Sequence, residues 1–139
     1  MTSTEPLATI LIVDDSTELI HALTTLLADK AEILFATTGA AGLELARRRR
    51  PDLILLDLQL PDMDGFAVCR ALKNDADTAA ASVLFVTVSG SDESELAALA
   101  AGASDFLIKP LRPAIVRARV ETHLTLQRQR LAMHKLAQL

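Results

Sequence analysis

Residues 51–58 read PDLILLDL, in which four aliphatic residues, Leu53 to Leu56, are followed directly by the carboxylate of Asp57. Such a run between a proline and an aspartate is typical of a short strand buried on both faces of a parallel sheet. A carboxylate at the edge of a core is costly unless a hydrogen bond or a cation stabilises its charge. The sequence therefore raises the question of what stabilises Asp57.

Short apolar runs of this kind recur along the chain. The others are Ala8 to Val13, the weaker Glu32 to Ala36, Val83 to Val88 and Asp105 to Ile108. Helical patterns alternate with them, at Ser16–Asp29, Gly39–Arg50, Asp64–Lys73, Asp92–Ala101 and from Pro113 to the end. This alternation predicts an α/β fold, a doubly wound five-stranded parallel sheet with helices on both faces.

The composition fits one globular domain. The chain has 139 residues, of which 50% are hydrophobic and 23% charged, and its formal net charge is −4, so it is neither disordered nor generally attracted to nucleic acid. Arg47 to Arg50 fall at the predicted end of the second helix, where cations complement the helix dipole. We expect a cytoplasmic protein without membrane contact, because the chain has no membrane-length apolar run and its N-terminus lacks a signal peptide's basic region.

Acidic residues follow two of the predicted strands. Asp14 and Asp15 end the first strand, and Asp57 ends the third. If the strand order is 2-1-3-4-5, these two strands are neighbours and the three carboxylates converge at one edge of the sheet. They would repel one another, and Mg²⁺ would relieve that repulsion. The alternative is that Asp14 and Asp15 only cap the first helix while Asp57 opens a turn.

Two further residues are predicted at the same edge. Lys109 follows the fifth strand and is placed to pair with the acidic cluster or with an anion bound there. Thr87 comes at the end of the fourth strand, where its hydroxyl group could donate a hydrogen bond to the same anion. A threonine is also an ordinary strand residue, so Thr87 alone indicates little.

Four motifs together resemble the receiver domain of two-component response regulators. They are ILIVDDS, LILLDLQLPDMDGF, VLFVTVS and GASDFLIKP, in this order along the chain. The resemblance covers roughly residues 8–122 and implies a flavodoxin-like fold with strand order 2-1-3-4-5. It predicts a receiver domain at residues 1–122 and a C-terminal helical extension or linker at 123–139.

The resemblance implies a role for each residue of the acidic edge. Asp57 would accept a phosphoryl group from a histidine kinase or a phosphotransfer protein. Mg²⁺ would be held by Asp14, Asp15, Asp57 and the backbone carbonyl group of Gln59. Lys109 would pair with the oxygens of the phosphoryl group.

The resemblance also implies a conformational switch. Thr87 would move to bond the phosphoryl group, and the strand-five aromatic, Phe106, would then turn inward. The bond between Lys109 and Pro110 would be cis. The switch would control a partner or an output domain beyond Leu139, as in a receiver at the N-terminus of a diguanylate cyclase or a hybrid kinase.

Two residues depart from the family pattern. Val88 stands where the family usually has alanine or glycine, and we hypothesise that its bulk slows the uptake or loss of the phosphoryl group. Phe106 stands where tyrosine is common, so an output that depends on a phenolic hydrogen bond is not expected.

The C-terminal segment suggests a further role. From Ala114 to Leu139 there is no glycine or proline, and Val120, Leu124, Gln127 and Leu131 form a partial heptad. We expect a helix that joins the receiver to an output domain or that forms a homodimer, and we favour a fragment of a longer protein over a single-domain regulator. The alternative is a frayed tail.

Three functional classes remain open at this point. The leading one is a phosphoacceptor module that catalyses only its own phosphorylation and dephosphorylation. The second is a receiver-like interaction domain that works without phosphorylation. The third is a Mg²⁺-dependent aspartyl phosphatase, which typically has a second acid two residues after its nucleophile, where this chain has Gln59.

Overall fold

The computed structural model describes residues 8–88 and 90–138, so the predicted start of the domain at residue 1 and the end of the last helix at Leu139 lie outside it. Five strands alternate with five helices. The strands are β1 (Ala8–Val13), β2 (Ala31–Ala36), β3 (Leu53–Asp57), β4 (Ser82–Thr87) and β5 (Asp105–Ile108). The helices are α1 (Thr17–Leu27), α2 (Gly39–Arg49), α3 (Gly65–Lys73), α4 (Asp92–Ala100) and α5 (Pro113–Ala137).

The strands form one parallel sheet in the order β2-β1-β3-β4-β5, which confirms the predicted fold. Val13, the last residue of β1, is paired with Leu56 of β3. Asp14 and Asp57, which follow these two residues in the chain, are therefore neighbours. The register between β4 and β5 pairs Thr87 with Ile108 and so brings Lys109 to the same edge. The predicted site residues therefore lie together at the carboxyl ends of four strands, β1, β3, β4 and β5.

The aliphatic run of β3 serves both faces of the sheet. Leu53 and Leu55 pack in the core beneath α1 and α5, whereas Ile54 and Leu56 pack in the core beneath α2, α3 and α4. Successive side chains of a strand point to opposite faces, so an uninterrupted apolar run is needed where both faces are covered. This arrangement confirms the interpretation of the run as a strand buried on both faces. The strand is one residue longer than the run, because it also includes Asp57.

The bounds of β4 differ from the prediction by one residue at each end. The strand begins at Ser82, whose backbone N–H group donates to the carbonyl oxygen of Asp52 over 3.0 Å. It ends at Thr87, so Val88 lies outside the strand and is 70% exposed. The prediction was wrong because it followed hydrophobicity, while Ser82 is a polar residue that is buried through hydrogen bonds.

Helix ends are set by short polar residues and one glycine. Ser16 caps α1 and Ser91 caps α4. Gly102 follows α4 with φ of 99°, and its N–H group donates to the carbonyl oxygen of Leu99. The N–H group of Ala103 donates to the carbonyl oxygen of Ala98, which completes the hydrogen-bond pattern of a glycine-terminated helix.

The arginine run lies in the last turn of α2 and just beyond it. Arg47 pairs with Asp75 at 2.9 Å and Arg50 pairs with Asp77 at 3.0 Å, both in the segment between α3 and β4. Arg49 pairs with Glu32 of β2. Three of the four cations are thus neutralised by carboxylates of the same chain, in addition to their favourable place at a helix C-terminus.

None of the helices in the described part of the chain is long and apolar enough to cross a membrane. The cytoplasmic location stays a prediction.

Helix α5 is unbroken over 25 residues and packs on the sheet further than expected. Its buried residues are Val116, Val120, Leu124 and Gln127. Three of the four residues in the predicted heptad therefore face the chain's own core. The helix runs without interruption across the predicted boundary at residues 122 and 123, and that division stays a prediction.

A polar cluster holds α5 against the start of β4, and we call its three residues, Ser82, Gln127 and Arg130, the α5 clamp. The Gln127 side chain is 5% exposed, and its Nε2 atom donates to the carbonyl oxygen of Ala80 over 2.6 Å. Arg130 Nη2 donates to Ser82 Oγ over 2.9 Å, and Ser82 Oγ lies 3.5 Å from Gln127 Oε1. Buried polar groups joined in this way are costly to leave unpaired.

We expect Gln127→Ala to lower the free energy of unfolding by about 1–3 kcal/mol, because it leaves the carbonyl group of Ala80 without this donor. Gln129→Ala is the matched control, since Gln129 is exposed on the same helix, and its effect should stay within about 0.5 kcal/mol. Urea unfolding followed by circular dichroism measures both. Equal effects of the two substitutions would show that the hydrogen bond from Gln127 to Ala80 does not stabilise the fold.

Candidate functional site

Three carboxylates meet at the carboxyl edge of the sheet. Asp14, directly after β1, is 2% exposed, and Asp57, the last residue of β3, is 7% exposed, whereas Asp15 is exposed to solvent. One oxygen from each of the three lies within 4.8 Å of the others. The structure thus brings together the acidic residues that the sequence predicted as metal ligands. Their oxygens are the kind of ligand that Mg²⁺ prefers.

The ammonium group of Lys109 lies beside both buried carboxylates. Its Nζ atom is 3.4 Å from Asp14 Oδ2 and 3.5 Å from Asp57 Oδ2. The backbone of Lys109 is held by its N–H group, which donates to the carbonyl oxygen of Thr87 over 2.7 Å. The peptide bond between Lys109 and Pro110 is cis, as the family resemblance implied.

The carboxyl group of Asp14 shows the balance of forces in this cluster. Burial raises its pKa above the ordinary value, and repulsion from Asp57 adds to the rise. The N–H group of Ser16, which donates to Asp14 Oδ1 over 2.8 Å, and the charge of Lys109 act in the opposite direction. The net rise means that these two neighbours do not fully compensate the buried charge, and a further cation would favour the ionised form.

The loop after Asp57 folds back tightly onto the end of β3. The N–H group of Gln59 donates to Asp57 Oδ1 over 3.2 Å, and Gln59 forms an antiparallel bridge with Asp64. The N–H group of Gly65 donates to the carbonyl oxygen of Leu58 over 2.8 Å. A Cβ atom at Gly65 would lie 2.4 Å from the carbonyl oxygen of Asp57, so glycine is required by this close approach of backbones.

The same loop is attached to the start of α2 by a residue that the sequence analysis did not single out. Asp62 accepts hydrogen bonds from the N–H groups of Gly39 and Ala40. The contact joins residues more than twenty positions apart, and no local pattern indicated it.

A cleft of about 420 Å³ opens over Asp57. Its lining consists of Asp15, Asp57, Leu58, Gln59, Leu60, Pro61, Thr87, Val88 and Lys109. Val88 is thus part of the cleft, as expected, although most of its side chain is exposed to solvent.

The two residues predicted to switch line one small cavity. Thr87 is buried at the end of β4, and Phe106 is half-buried on β5. Both line a small cavity of about 10 Å³, together with residues of α4 such as Ala98. This space is far too small for an aromatic ring, so a deeper position of Phe106 would require its neighbours to move.

The three histidines and the single cysteine do not line the cleft over Asp57. His123 Nε2 lies 3.0 Å from Asp105 Oδ2, between α5 and β5, and His134 lies 2.9 Å from the side-chain amide of Gln138. His21 is exposed on α1. The Cys69 thiol is buried and donates to the carbonyl oxygen of Ala101 over 3.3 Å, as suits a small core residue.

Comparisons with known proteins agree with this geometry. Residues 10–121 match the family model of the response regulator receiver domain. The response regulator PleD of Caulobacter vibrioides is 40% identical over 116 residues, which are 83% of this chain and 26% of PleD. The protein PilH of Pseudomonas aeruginosa is 38% identical over 106 residues, which are 76% of this chain and 88% of PilH.

Solved structures give the same result. The crystal structure of a signal receiver domain from Vibrio parahaemolyticus matches with a TM-score of 0.85 at 31% identity, and the match covers 91% of this chain and 97% of that one. The chain spans about a quarter of the length of PleD, of which 26% is matched.

We expect Gly65→Ala to displace the backbone of Asp57 and Leu58, because the new Cβ atom would overlap the carbonyl oxygen of Asp57. The free energy of unfolding should fall by about 1–3 kcal/mol, as for other overpacked sites. Gly90→Ala is the control, since its Cβ atom would meet only the flexible end of Ile108. Urea unfolding compares the two, and an unaffected Gly65→Ala protein would show that the loop does not need this close approach.

Proposed function

Because the chain belongs to the response regulator receiver domain family, we propose that Asp57 accepts a phosphoryl group from a histidine kinase or a phosphotransfer protein. The observation that carries the proposal is the placement of Lys109 within 3.5 Å of Asp57 and 3.4 Å of Asp14, with Asp15 completing the acidic cluster. An anionic nucleophile that must approach an anionic donor needs cations at this distance.

Mg²⁺ is the cofactor that fits this ligand set. The carboxylates of Asp14, Asp15 and Asp57 and the backbone carbonyl group of Gln59 would hold it, as hard oxygen ligands. The bound ion would neutralise negative charge on the transferred group and on the cluster. The proximity of the three carboxylates and the raised pKa of Asp14 both support a cation at this position.

The chain's own residues perform the remaining steps in this proposal. An oxygen of the Asp57 carboxylate attacks the phosphorus atom in line with the leaving group, a new P–O bond forms, and the donor keeps the electron pair of the bond that breaks. The ammonium group of Lys109 donates hydrogen bonds to the phosphoryl oxygens. Catalysis by the domain is limited to this transfer and to the later hydrolysis of its own acyl phosphate.

The acyl phosphate then acts as the signal. It adds charge and acceptor oxygens beside Thr87, whose hydroxyl group would turn towards them. Phe106 shares the small cavity with Thr87, so a shift of Thr87 and of the adjoining end of α4 would give the ring an inward position. The changed surface would control a partner or an output domain beyond Leu139.

A homodimer through the C-terminal helix would have to use a different stripe from the predicted heptad. Val120, Leu124 and Gln127 are buried against the sheet, whereas Leu126, Met133 and Leu136 are exposed. The latter residues are spaced by seven and three positions and so share one face of α5.

We expect one phosphoryl group to be added to the wild-type protein by acetyl phosphate in Mg²⁺, and none to Asp57→Asn. Asp77→Asn is the matched control, since Asp77 pairs with Arg50 outside the cleft and should leave the adduct unchanged. Chelation of Mg²⁺ with EDTA should abolish the adduct in every variant. Intact-mass spectrometry is the readout.

The same experiment separates the alternatives. A wild-type protein that binds Mg²⁺ but takes up no phosphoryl group from acetyl phosphate or from a histidine kinase would favour an interaction domain that works without phosphorylation. Repeated turnover of a generic phosphomonoester would favour an aspartyl phosphatase.

We expect Val88→Ala to speed the uptake and the loss of the phosphoryl group, because Val88 lines the cleft over Asp57. A two- to tenfold change corresponds to about 0.4–1.4 kcal/mol of activation free energy. Val88→Thr keeps the shape of the side chain and serves as the control. Time courses of the intact mass measure both rates, and unchanged rates in Val88→Ala would exclude crowding by this side chain.

A further inference from the structure

The start of α2 depends on a residue from outside the helix. The first N–H groups of a helix have no partner within it and must be satisfied by other groups. The N–H group of Gly39 donates to Asp62 Oδ1 over 2.8 Å, and that of Ala40 donates to Asp62 Oδ2 over 3.0 Å. Asp62 therefore caps the helix with both oxygens of its carboxylate, from a loop more than twenty residues further along the chain.

The next two N–H groups are satisfied locally. That of Ala41 donates to Thr38 Oγ1 over 3.1 Å, and that of Gly42 donates to the carbonyl oxygen of Thr38 over 3.0 Å. The N–H groups of Gly39, Ala40 and Ala41, which the helix cannot satisfy by itself, are thus divided between Thr38, the ordinary cap, and Asp62, a remote one, whereas the N–H group of Gly42 makes the first hydrogen bond of the helix itself. The two residues therefore have different roles. The Thr38 hydroxyl group stabilises only the helix, whereas Asp62 stabilises the helix and also holds its own loop against it.

The hydrogen bonds that Asp62 accepts are charge-assisted. Hydrogen bonds from the N–H groups of Ala40 and Gly39 hold the pKa of the Asp62 carboxyl group below its ordinary value, so the group is ionised. A negative charge is also favoured by the dipole at a helix N-terminus. Met63 reinforces the link, since a Cβ atom at Gly39 would lie only 2.9 Å from Met63 Sδ.

Asp62 sits in the turn whose base carries the proposed metal ligand. Gln59 and Asp64 are bridged across this turn, and Gln59 also donates its N–H group to Asp57. Gly65 closes the base against the backbone of Asp57 and Leu58. The base is therefore tied to β3, and Asp62 ties the middle of the turn to α2.

We propose that Asp62 is a positioning residue, which anchors the turn 59–64 to the start of α2 and thereby places the backbone carbonyl group of Gln59 for cation binding beside Asp57. The inference rests on the proposed function of Asp57. It gives α2 a part in the site, although α2 supplies none of the proposed ligands. Without the anchor the turn is held only at its base and by the packing of Met63 against Gly39, so the Gln59 carbonyl group samples a wider range of positions, fewer of which favour the cation.

The experiment compares Asp62→Ala with Thr38→Ala, two substitutions that each remove capping of the same helix. Mg²⁺ binding is measured by titration calorimetry, and thermal unfolding in EDTA by circular dichroism. We expect both variants to lose stability, but only Asp62→Ala to weaken Mg²⁺ binding, by roughly tenfold, as for other residues that orient a metal ligand. Thr38→Ala should stay within about twofold of the wild type, because the Thr38 hydroxyl group accepts from the N–H group of Ala41 in the helix and not from the turn.

Asp62→Asn supplies a second test. Its side-chain oxygen can still accept from one N–H group, but its amide group cannot accept from the other, so its Mg²⁺ affinity should fall between those of wild type and Asp62→Ala. Wild-type affinity in Asp62→Ala, or an equal loss in Thr38→Ala, would overturn the inference and leave the proposed function intact. A wild-type protein that binds no Mg²⁺ would overturn both.

Discussion

The arrangement of the site depends on the repulsion among three carboxylates that the fold places at one edge of the sheet. Parallel strands of this order bring Asp14 and Asp57 side by side, and Asp15 follows directly. Hydrophobic packing of the strands fixes the positions of Asp14 and Asp57, so these two charges cannot separate without disrupting the core. The cost is reduced by Lys109 and by backbone N–H groups, and the charge that they leave uncompensated is the basis of the cation and phosphoryl binding that we propose at this edge.

Much of this arrangement could be predicted because it follows from local patterns. The run Leu53 to Leu56 indicated a doubly buried strand, and the parallel sheet then placed strand-end residues such as Asp57 and Lys109 at one edge. The parts that were missed depend on contacts between distant residues. Asp62 caps a helix that begins 23 positions earlier, and Ser82 is buried by hydrogen bonds to a helix that follows it. Neither residue has a hydrophobic signature.

The C-terminal helix shows a different limit of prediction from sequence, because a helical stripe does not reveal what it packs against. Residues spaced by three and four positions along a helix form one stripe, whether the stripe packs on the chain's own sheet or on another helix. Val120, Leu124 and Gln127 fit both patterns, and only their burial beneath the sheet distinguishes them. The α5 clamp explains why a glutamine belongs to this stripe, since its amide group satisfies a backbone carbonyl group that an aliphatic residue could not.

The clamp also fixes the rotation of α5 about its own axis. Gln127 and Arg130 hold the helix at one angle relative to β4, and the helix continues without a break to Ala137. Each residue inserted after Arg130 would turn the following segment by about 100° and advance it by about 1.5 Å, whereas seven would restore nearly the same facing direction. The number of helical residues after the clamp therefore sets the direction that a structure attached to the end of α5 would face.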